Sequence, residues 1–434
     1  MRKRSLVGLV AVGGAAALIA ATTGIAGSGP KSATVLPSSS CGPVQAGGGS
    51  PQFIVPSDLP LQGSSRSQTI EMTKAIAFTL KQQGYKAGKY TVGYQSCDDS
   101  TAQAGKWDPA KCSGNAGLYV RDPSVIGVLG TFNSGCAEIE VASANRVSLG
   151  YVSPANTYVG LTHALKGATQ PGEPNKYYPT GKRNYIRVVA ADDFQGAADA
   201  LLAKSLGAKT TYILNDKEAY GAGIAATYRN AVKRVGLKVV GDKAWDPKAS
   251  SYEDLAANIK ASGAQSVFLG GLECENGGKL IKDLRAGLPA SVKIIAPDGF
   301  SSFKDTIKDA GTASEGMYIS IAGQPYKTLG KSGKAFAAAF GKSIGLPAAK
   351  VNPYSNYGAT AMLVMLKAIA ASNGTRASVT ANLFKTKLSD SPIGGFVINK
   401  NGDTNLAPIS IYTVKGKDAP FFKLINPPAS LVAG

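Results

Sequence analysis

The 434-residue chain contains one histidine, His163, two tryptophans and five methionines. A lone imidazole cannot build a histidine metal centre, and the five cysteines show no CxxC or CxxH spacing, so no metal site is expected. The same scarcity argues against nucleophilic hydrolysis. Ser134 is not in a GxSxG elbow, and His163 lies in a polar loop that fits no triad order. Acidic side chains are few, 28 against 47 lysines and arginines, giving a formal charge of +19. The excess is spread over helix ends and turns, for instance Lys81, Lys86, Lys204, Lys233 and Lys238. No dense basic run alternates with aromatics, so nucleic acid is excluded as a partner and a basic soluble surface remains. Beyond the first 26 residues no apolar run approaches a membrane span.

Residues 1–26 read as a cleaved secretory signal. Arg2, Lys3 and Arg4 precede the apolar stretch Leu6 to Ala21, and Gly24-Ile25-Ala26 supplies small residues for cleavage. Residues 27–50, rich in Gly, Ser and Pro, read as a flexible tether. Cys41 does not directly follow the apolar stretch, which disfavours lipid attachment. Five cysteines in an exported chain predict disulfides with one thiol left over. The polar loop between Cys97 and Cys112 would gain from a staple, so a Cys97–Cys112 bond is expected, with Cys136–Cys274 as a further pairing.

From residue 52 strands and helices alternate, the pattern of parallel sheets covered by helices. The strand Phe53–Pro56 is followed by a helix over Ser67–Gln83, stopped by Gly84, and by a strand over Tyr90–Tyr94. Two further apolar runs, Ser124–Leu129 and Val147–Val152, end in small turns, Gly130-Thr131-Phe132-Asn133-Ser134-Gly135-Cys136 and Ser153-Pro154-Ala155-Asn156-Thr157. In an open parallel sheet ligands bind at the carboxyl ends of the strands, and free N–H groups at a helix start favour an anion there. Two such loops side by side make a cradle for a carboxylate. A second βα series runs from Arg187 to Ala296, and Asp298 follows its last strand. Two long helices, Lys331–Ile344 and Ser355–Ser372, come later, and Gly394–Val414 reads as a hairpin turned at Asn401-Gly402. The GxGxxA pattern at Gly221–Ala226 does not follow its strand tightly enough for a dinucleotide site, so no cofactor is expected. Asp98-Asp99 and Asp192-Asp193 read as solvated turn or cap carboxylates.

The order of these segments resembles the branched-chain amino-acid ABC-transporter substrate-binding proteins, with their type I periplasmic-binding-protein fold, over about residues 52–415. The resemblance rests on Asp58–Gly63, the two small-residue loops, Asn215-Asp216-Lys217-Glu218-Ala219-Tyr220-Gly221, Ala296-Pro297-Asp298-Gly299 and Tyr354–Tyr357. It implies an α/β protein of two lobes, each a parallel sheet flanked by helices, with the ligand in the cleft between them. The implied lobes are residues 51–187 plus 324–394 and residues 188–323 plus 395–434.

The resemblance also implies a division of labour. Ser134 and Thr157 would hold an α-carboxylate, the Ala155 carbonyl, Ser134 and Asp298 would receive an α-ammonium, and Phe132, Tyr220 and Tyr354 would wall the side-chain pocket. Asn156 belongs to the same ligand loop. Charge-assisted bonds fix the zwitterion while an apolar remainder fills the pocket. The implied protein is a non-catalytic, monomeric carrier in the periplasm or cell envelope that delivers an amino acid to an ABC permease. Leu272 stands near a position where some relatives have an aromatic. The alternatives are a ligand-sensing receptor domain, or a binder of another small carboxylate, aromatic acid or amide.

Overall fold

The computed structural model describes residues 32–432. The expected signal, residues 1–26, lies outside the described residues. Alternating apolar runs and helix-forming stretches build two sheets, each covered by helices.

The first sheet is assembled from the amino-terminal half. Its elements are β1 (Phe53–Leu59), α1 (Arg66–Gln82), β2 (Lys86–Ala87), β3 (Tyr90–Asp98), β4 (Ser100–Thr101), β5 (Lys106–Trp107), α2 (Pro109–Arg121), β6 (Val128–Gly130), α3 (Ser134–Asn145), β7 (Tyr151–Ser153) and β8 (Tyr185–Arg187). The strand order is β2-β3-β1-β6-β7-β8, parallel except for the β2–β3 pair. Strands buried along their whole length, such as β6, explain why these runs read as continuously apolar.

The second sheet follows: α4 (Asp192–Ser205), β9 (Thr210–Asn215), α5 (Ala219–Val235), β10 (Lys238–Ala244), α6 (Glu253–Ala261), β11 (Ser266–Gly270), α7 (Gly277–Gly287), β12 (Lys293–Ala296), α8 (Phe303–Ala310) and β13 (Tyr318–Ile321). The chain then returns to the first lobe with α9 (Lys331–Ile344), α10 (Pro353–Ala370) and α11 (Arg376–Leu383). A small pair, β14 (Lys387–Leu388) and β15 (Phe396–Val397), precedes β16 (Ile409–Thr413), β17 (Phe421–Ile425) and α12 (Ala429–Val432). The second sheet is ordered β10-β9-β11-β12-β13-β16-β17, with β16 and β17 antiparallel. Helix α10 packs on α1. It is tied there by Glu71, which accepts from the Asn352 N–H at 2.6 Å and from Ser355 Oγ at 2.8 Å.

Several expectations are corrected. Cys97 pairs with Cys41 and Cys112 with Cys136, so the Cys97–Cys112 bond does not exist and Cys274 is a free thiol. Cys97 ends β3 facing Cys41, while Cys112 lies on α2 facing α3, so the two are attached to different neighbours. The described part of the 27–50 tether is not free. Gln45 and Tyr94 exchange backbone hydrogen bonds at 2.9 and 3.0 Å, and Gln95 binds the backbone of Leu36. The loop between Cys97 and Cys112 contains the β4–β5 hairpin and the start of α2, opened by Asp108 as N-cap and Pro109 at the first position. The hairpin expected over 394–414 is only partly formed. Ile398 bridges Thr404, but β16 pairs with β13 and β17 instead. Asp99 and Asp192 are fully buried, not solvated, and Asp192-Asp193 open α4.

Candidate functional site

The chain crosses between the lobes after β8, after β13 and before β16. A buried ion network sits at these crossings. Arg187 donates from Nε to Asp403 at 2.7 Å and from its terminal nitrogens to the carbonyls of Tyr158 and Asn156, at 2.8 and 3.2 Å, and to Thr162 Oγ1. His163 lies between Asp403, at 3.3 Å, and Asp193, at 3.4 Å. Burial alone would lower the His163 pKa, but bonds to both carboxylates overcome this and raise it to about 9.

Above this hinge the carboxyl ends of both sheets face each other. In the first lobe β6 leads into Asn133 and Ser134, which open α3, and β7 leads into Ser153–Thr157. The two loops are tied together. Ser153 Oγ donates to the Thr131 carbonyl at 3.0 Å and accepts the N–H groups of Ala155 and Asn156 at 3.1 and 2.8 Å. Asn156 donates to the Phe132 carbonyl at 2.8 Å and accepts from the Tyr185 hydroxyl at 3.2 Å. Asn133 makes no capping bond, so the first-turn N–H groups of α3 stay open at the loop.

In the second lobe Asp216, after β9, accepts from the N–H groups of Glu218 at 2.9 Å and Leu272 at 2.8 Å. It thereby joins the loop that opens α5 to the loop after β11. Burial pushes its carboxyl up to about 8. Gly221 lies against this carboxylate, where a Cβ would come within 2.0 Å of Asp216 Oδ1. The GxGxxA pattern therefore serves helix packing, inside α5.

Phe132, Asn133, Ser134, Ala155, Thr157, Tyr220, Leu272, Asp298, Gly299 and Tyr354 line one cleft between the lobes. Seven of the eight residues singled out from sequence reach it. Asn156 does not, because its side chain is committed to holding the loops. Asp298 follows β12 and is 8% exposed. Its two carboxylate oxygens accept from the hydroxyls of Tyr220, at 2.5 Å, and Tyr354. Tyr220 and Tyr354 are thus clamps on Asp298 as well as walls. Burial raises the Asp298 pKa above the usual carboxylate value, and the tyrosine bonds pull it back.

Two residues escaped the sequence reading. Asp192 opens α4 and donates its N–H to the Thr157 carbonyl at 2.8 Å. Burial, and then the charge of Asp298, push its carboxyl well up, although Asp192 is fully buried and does not itself line the cleft. Its position just past a strand end was the available signal, masked by the turn-like acidic pair. Asn133 presents a buried Oδ1 with no partner among the described residues.

A family model described as periplasmic binding protein matches residues 105–419. A leucine-, isoleucine-, valine-, threonine- and alanine-binding protein of Pseudomonas aeruginosa is 30% identical over 163 residues, 37% of this chain and 42% of that protein. The chain thus aligns with less than half of that relative's length. A leucine-binding protein from Thermotoga maritima superimposes with a TM-score of 0.74 at 20% identity, covering 86% of this chain and 99% of that one. A solute-binding protein from Rhodopseudomonas palustris, solved with p-hydroxybenzoic acid, superimposes at 0.70 with 16% identity, covering 86% and 97%. These two likenesses establish the two-lobed fold. With the family match covering most of the chain, including β6 to β8 of the first sheet, the second sheet except β17 and every residue that lines the cleft, the chain belongs to the periplasmic binding protein family.

Proposed function

We propose that this protein is an extracytoplasmic carrier that closes its lobes around one α-amino acid and delivers it, as a monomer, to an ABC permease. The observation that carries this reading is the placement of Asp298 across the cleft from Ser134 and Thr157. Hydroxyls and helix-start N–H groups suit a carboxylate on one lobe, and an acid suits an ammonium on the other. Phe132 and Leu272 offer apolar wall to a short side chain. The named binders of leucine, isoleucine and valine among the relatives support a branched aliphatic ligand. The described residues contain no helix long and apolar enough to cross a membrane.

The test is calorimetry with L-leucine, L-isoleucine and L-valine beside their 2-keto and 2-hydroxy analogues. Micromolar or tighter binding of the amino acids, with much weaker analogues, is the expected result. Equal affinity for the keto acid removes the role given to Asp298.

A second reading, a small carboxylate or aromatic-acid binder, is favoured by one observation. The two tyrosines already satisfy Asp298, and burial favours its neutral form, so the ligand need not bring an ammonium. Tighter binding of 4-hydroxybenzoate than of leucine in the same titration would establish it.

A further inference from the structure

The β4–β5 hairpin takes no part in lining the cleft, yet it reaches the other lobe. On its own lobe it is firmly held. The Gln62 N–H donates to Ser100 Oγ at 3.0 Å, the Ser64 N–H to the Gly105 carbonyl at 3.3 Å, and the Asp108 N–H to the Asp99 carbonyl at 2.8 Å. The cysteines on either side, Cys97 and Cys112, are both disulfide-bonded. Gly63, with φ +75°, touches the hairpin so closely that a Cβ there would lie 1.5 Å from the Gly105 oxygen.

From this platform Lys106 extends to the second lobe. Its Nζ is 3.3 Å from Glu218, at the start of α5, and makes a closer contact with Glu275, in the loop after β11. The Glu275 side chain is 4% exposed and that of Glu218 22%. Burial and then the neighbouring Glu275 charge raise the Glu218 pKa, and Lys106 lowers it. The two acids are therefore a like-charged pair on one lobe, and the cation between them belongs to the other. Opening the lobes withdraws Lys106 from both and leaves the pair facing itself. An interaction present in one state and absent in the other shifts the equilibrium by its own free energy.

We propose that Lys106 is an electrostatic latch that biases the lobes toward closure and so sets ligand affinity without touching the ligand. The proposal rests on the reading of the protein as a two-lobed solute binder. Apparent affinity scales with the fraction of binding-competent protein. Loss of Lys106 therefore weakens every cleft ligand by one common factor and speeds release, unlike a change at Asp298.

The experiment compares the full mature chain with Lys106→Met, Lys106→Arg and the double variant Lys106→Met/Glu218→Gln, titrated with L-leucine. Lys106→Met keeps the side-chain stem and is expected to bind roughly five- to thirty-fold more weakly, the range for losing one or two kcal/mol. Lys106→Arg stays near wild type, and the double variant recovers part of the loss because Glu218→Gln removes a charge that the closing lobe would otherwise desolvate with no cation to meet it. Unchanged affinity in Lys106→Met, or no recovery in the double variant, overturns the latch. If wild type binds no leucine, the branched-chain amino-acid reading fails separately. X-ray scattering of the ligand-free proteins then decides: a larger radius of gyration for Lys106→Met supports the latch, and an equal one overturns it.

Discussion

Gly223 of α5 lies directly against the ring of Tyr158 across the lobe boundary, so close that a Cβ at Gly223 would come within 2.5 Å of Tyr158 Cδ2. The ring cannot yield easily. Tyr158 is 2% exposed, and its hydroxyl donates to Glu173 at 2.6 Å. Only a glycine lets the lobes meet here. Gly223→Val is expected to hinder closure and weaken ligand binding at least tenfold, a loss of about 1.4 kcal/mol or more. Thermal unfolding and titration of the same variant separate the effects. A large fall in melting temperature with unchanged affinity would refute the steric role in closure.

The clamp on Asp298 predicts a second outcome. Tyr354→Phe removes one of two hydroxyl donors, which raises the Asp298 pKa further and costs about 1–3 kcal/mol of binding where an ammonium needs the ionised acid. With a raised pKa, the affinity for an amino-acid ligand should fall in wild type as pH drops through it. Calorimetry between pH 4 and 8, for wild type and variant, should show the variant's fall beginning at higher pH. Coincident profiles would contradict the clamp.

His163 gives a stability signature of defined sign. Its folded pKa, about 9, lies above the ordinary value of 6.5, so the folded state holds the proton more tightly. The contribution is fully present below about pH 6.5 and is lost as pH rises toward 9. It amounts to about 3 kcal/mol at most, reduced by the partial exposure of the ring. His163→Gln should flatten the decline of melting temperature across that window.

Asp58, Asp99 and Glu140 are three carboxyl groups buried together beneath the first sheet's loops. Both Asp99 oxygens lack a hydrogen-bond partner among the described residues. Burial pushes Asp58 up to about 6 and the other two well above the ordinary value. The folded state again binds more protons, so this cluster favours folding at low pH and opposes it as pH rises through those pKa values. Asp99→Asn removes one charge without changing volume. It should raise the melting temperature at pH 7.5 by about 2–4 °C per kcal/mol gained, and leave it little changed at pH 4. Differential scanning calorimetry at the two pH values checks this.

The two disulfides close chain separations of 56 and 24 residues. Chain-entropy arguments give them about 4 and about 3.5 kcal/mol. Reduction with dithiothreitol should therefore lower the melting temperature, while Cys274→Ser leaves the non-reducing melt nearly unchanged.

Much of the site was legible because its signals are local. An apolar run ending in a small-residue turn gives a strand, its carboxyl end and its loop together, which puts Ser134, Thr157 and Asp298 at strand ends, where they line the cleft. Ala155 stands out only through the family resemblance. The same logic missed what depends on distant partners. Arg187 and Asp403 are 216 residues apart, yet they bond at 2.7 Å inside the hinge. Asp192 reads as a turn residue until the lobes are assembled around it. Cysteine pairing failed for the same reason: the gap between Cys97 and Cys112 looked like one loop, whereas a hairpin and a helix start turn the two thiols toward different neighbours. Arg376 is a further case, with its guanidinium bound to the carbonyls of Tyr119, Val120, Asp122 and Val125, more than 250 residues earlier.

The return of α10 and α11 to the first lobe orders events during synthesis. Strands β1 to β8 emerge first, but α10, one of the helices that cover them, begins only at Pro353, and the second sheet lacks β16 and β17 until residue 425. Neither lobe can complete its core until nearly the whole chain has been made. Such long-range closure is slow to form, so a nascent chain spends most of its synthesis without a completed core in either lobe.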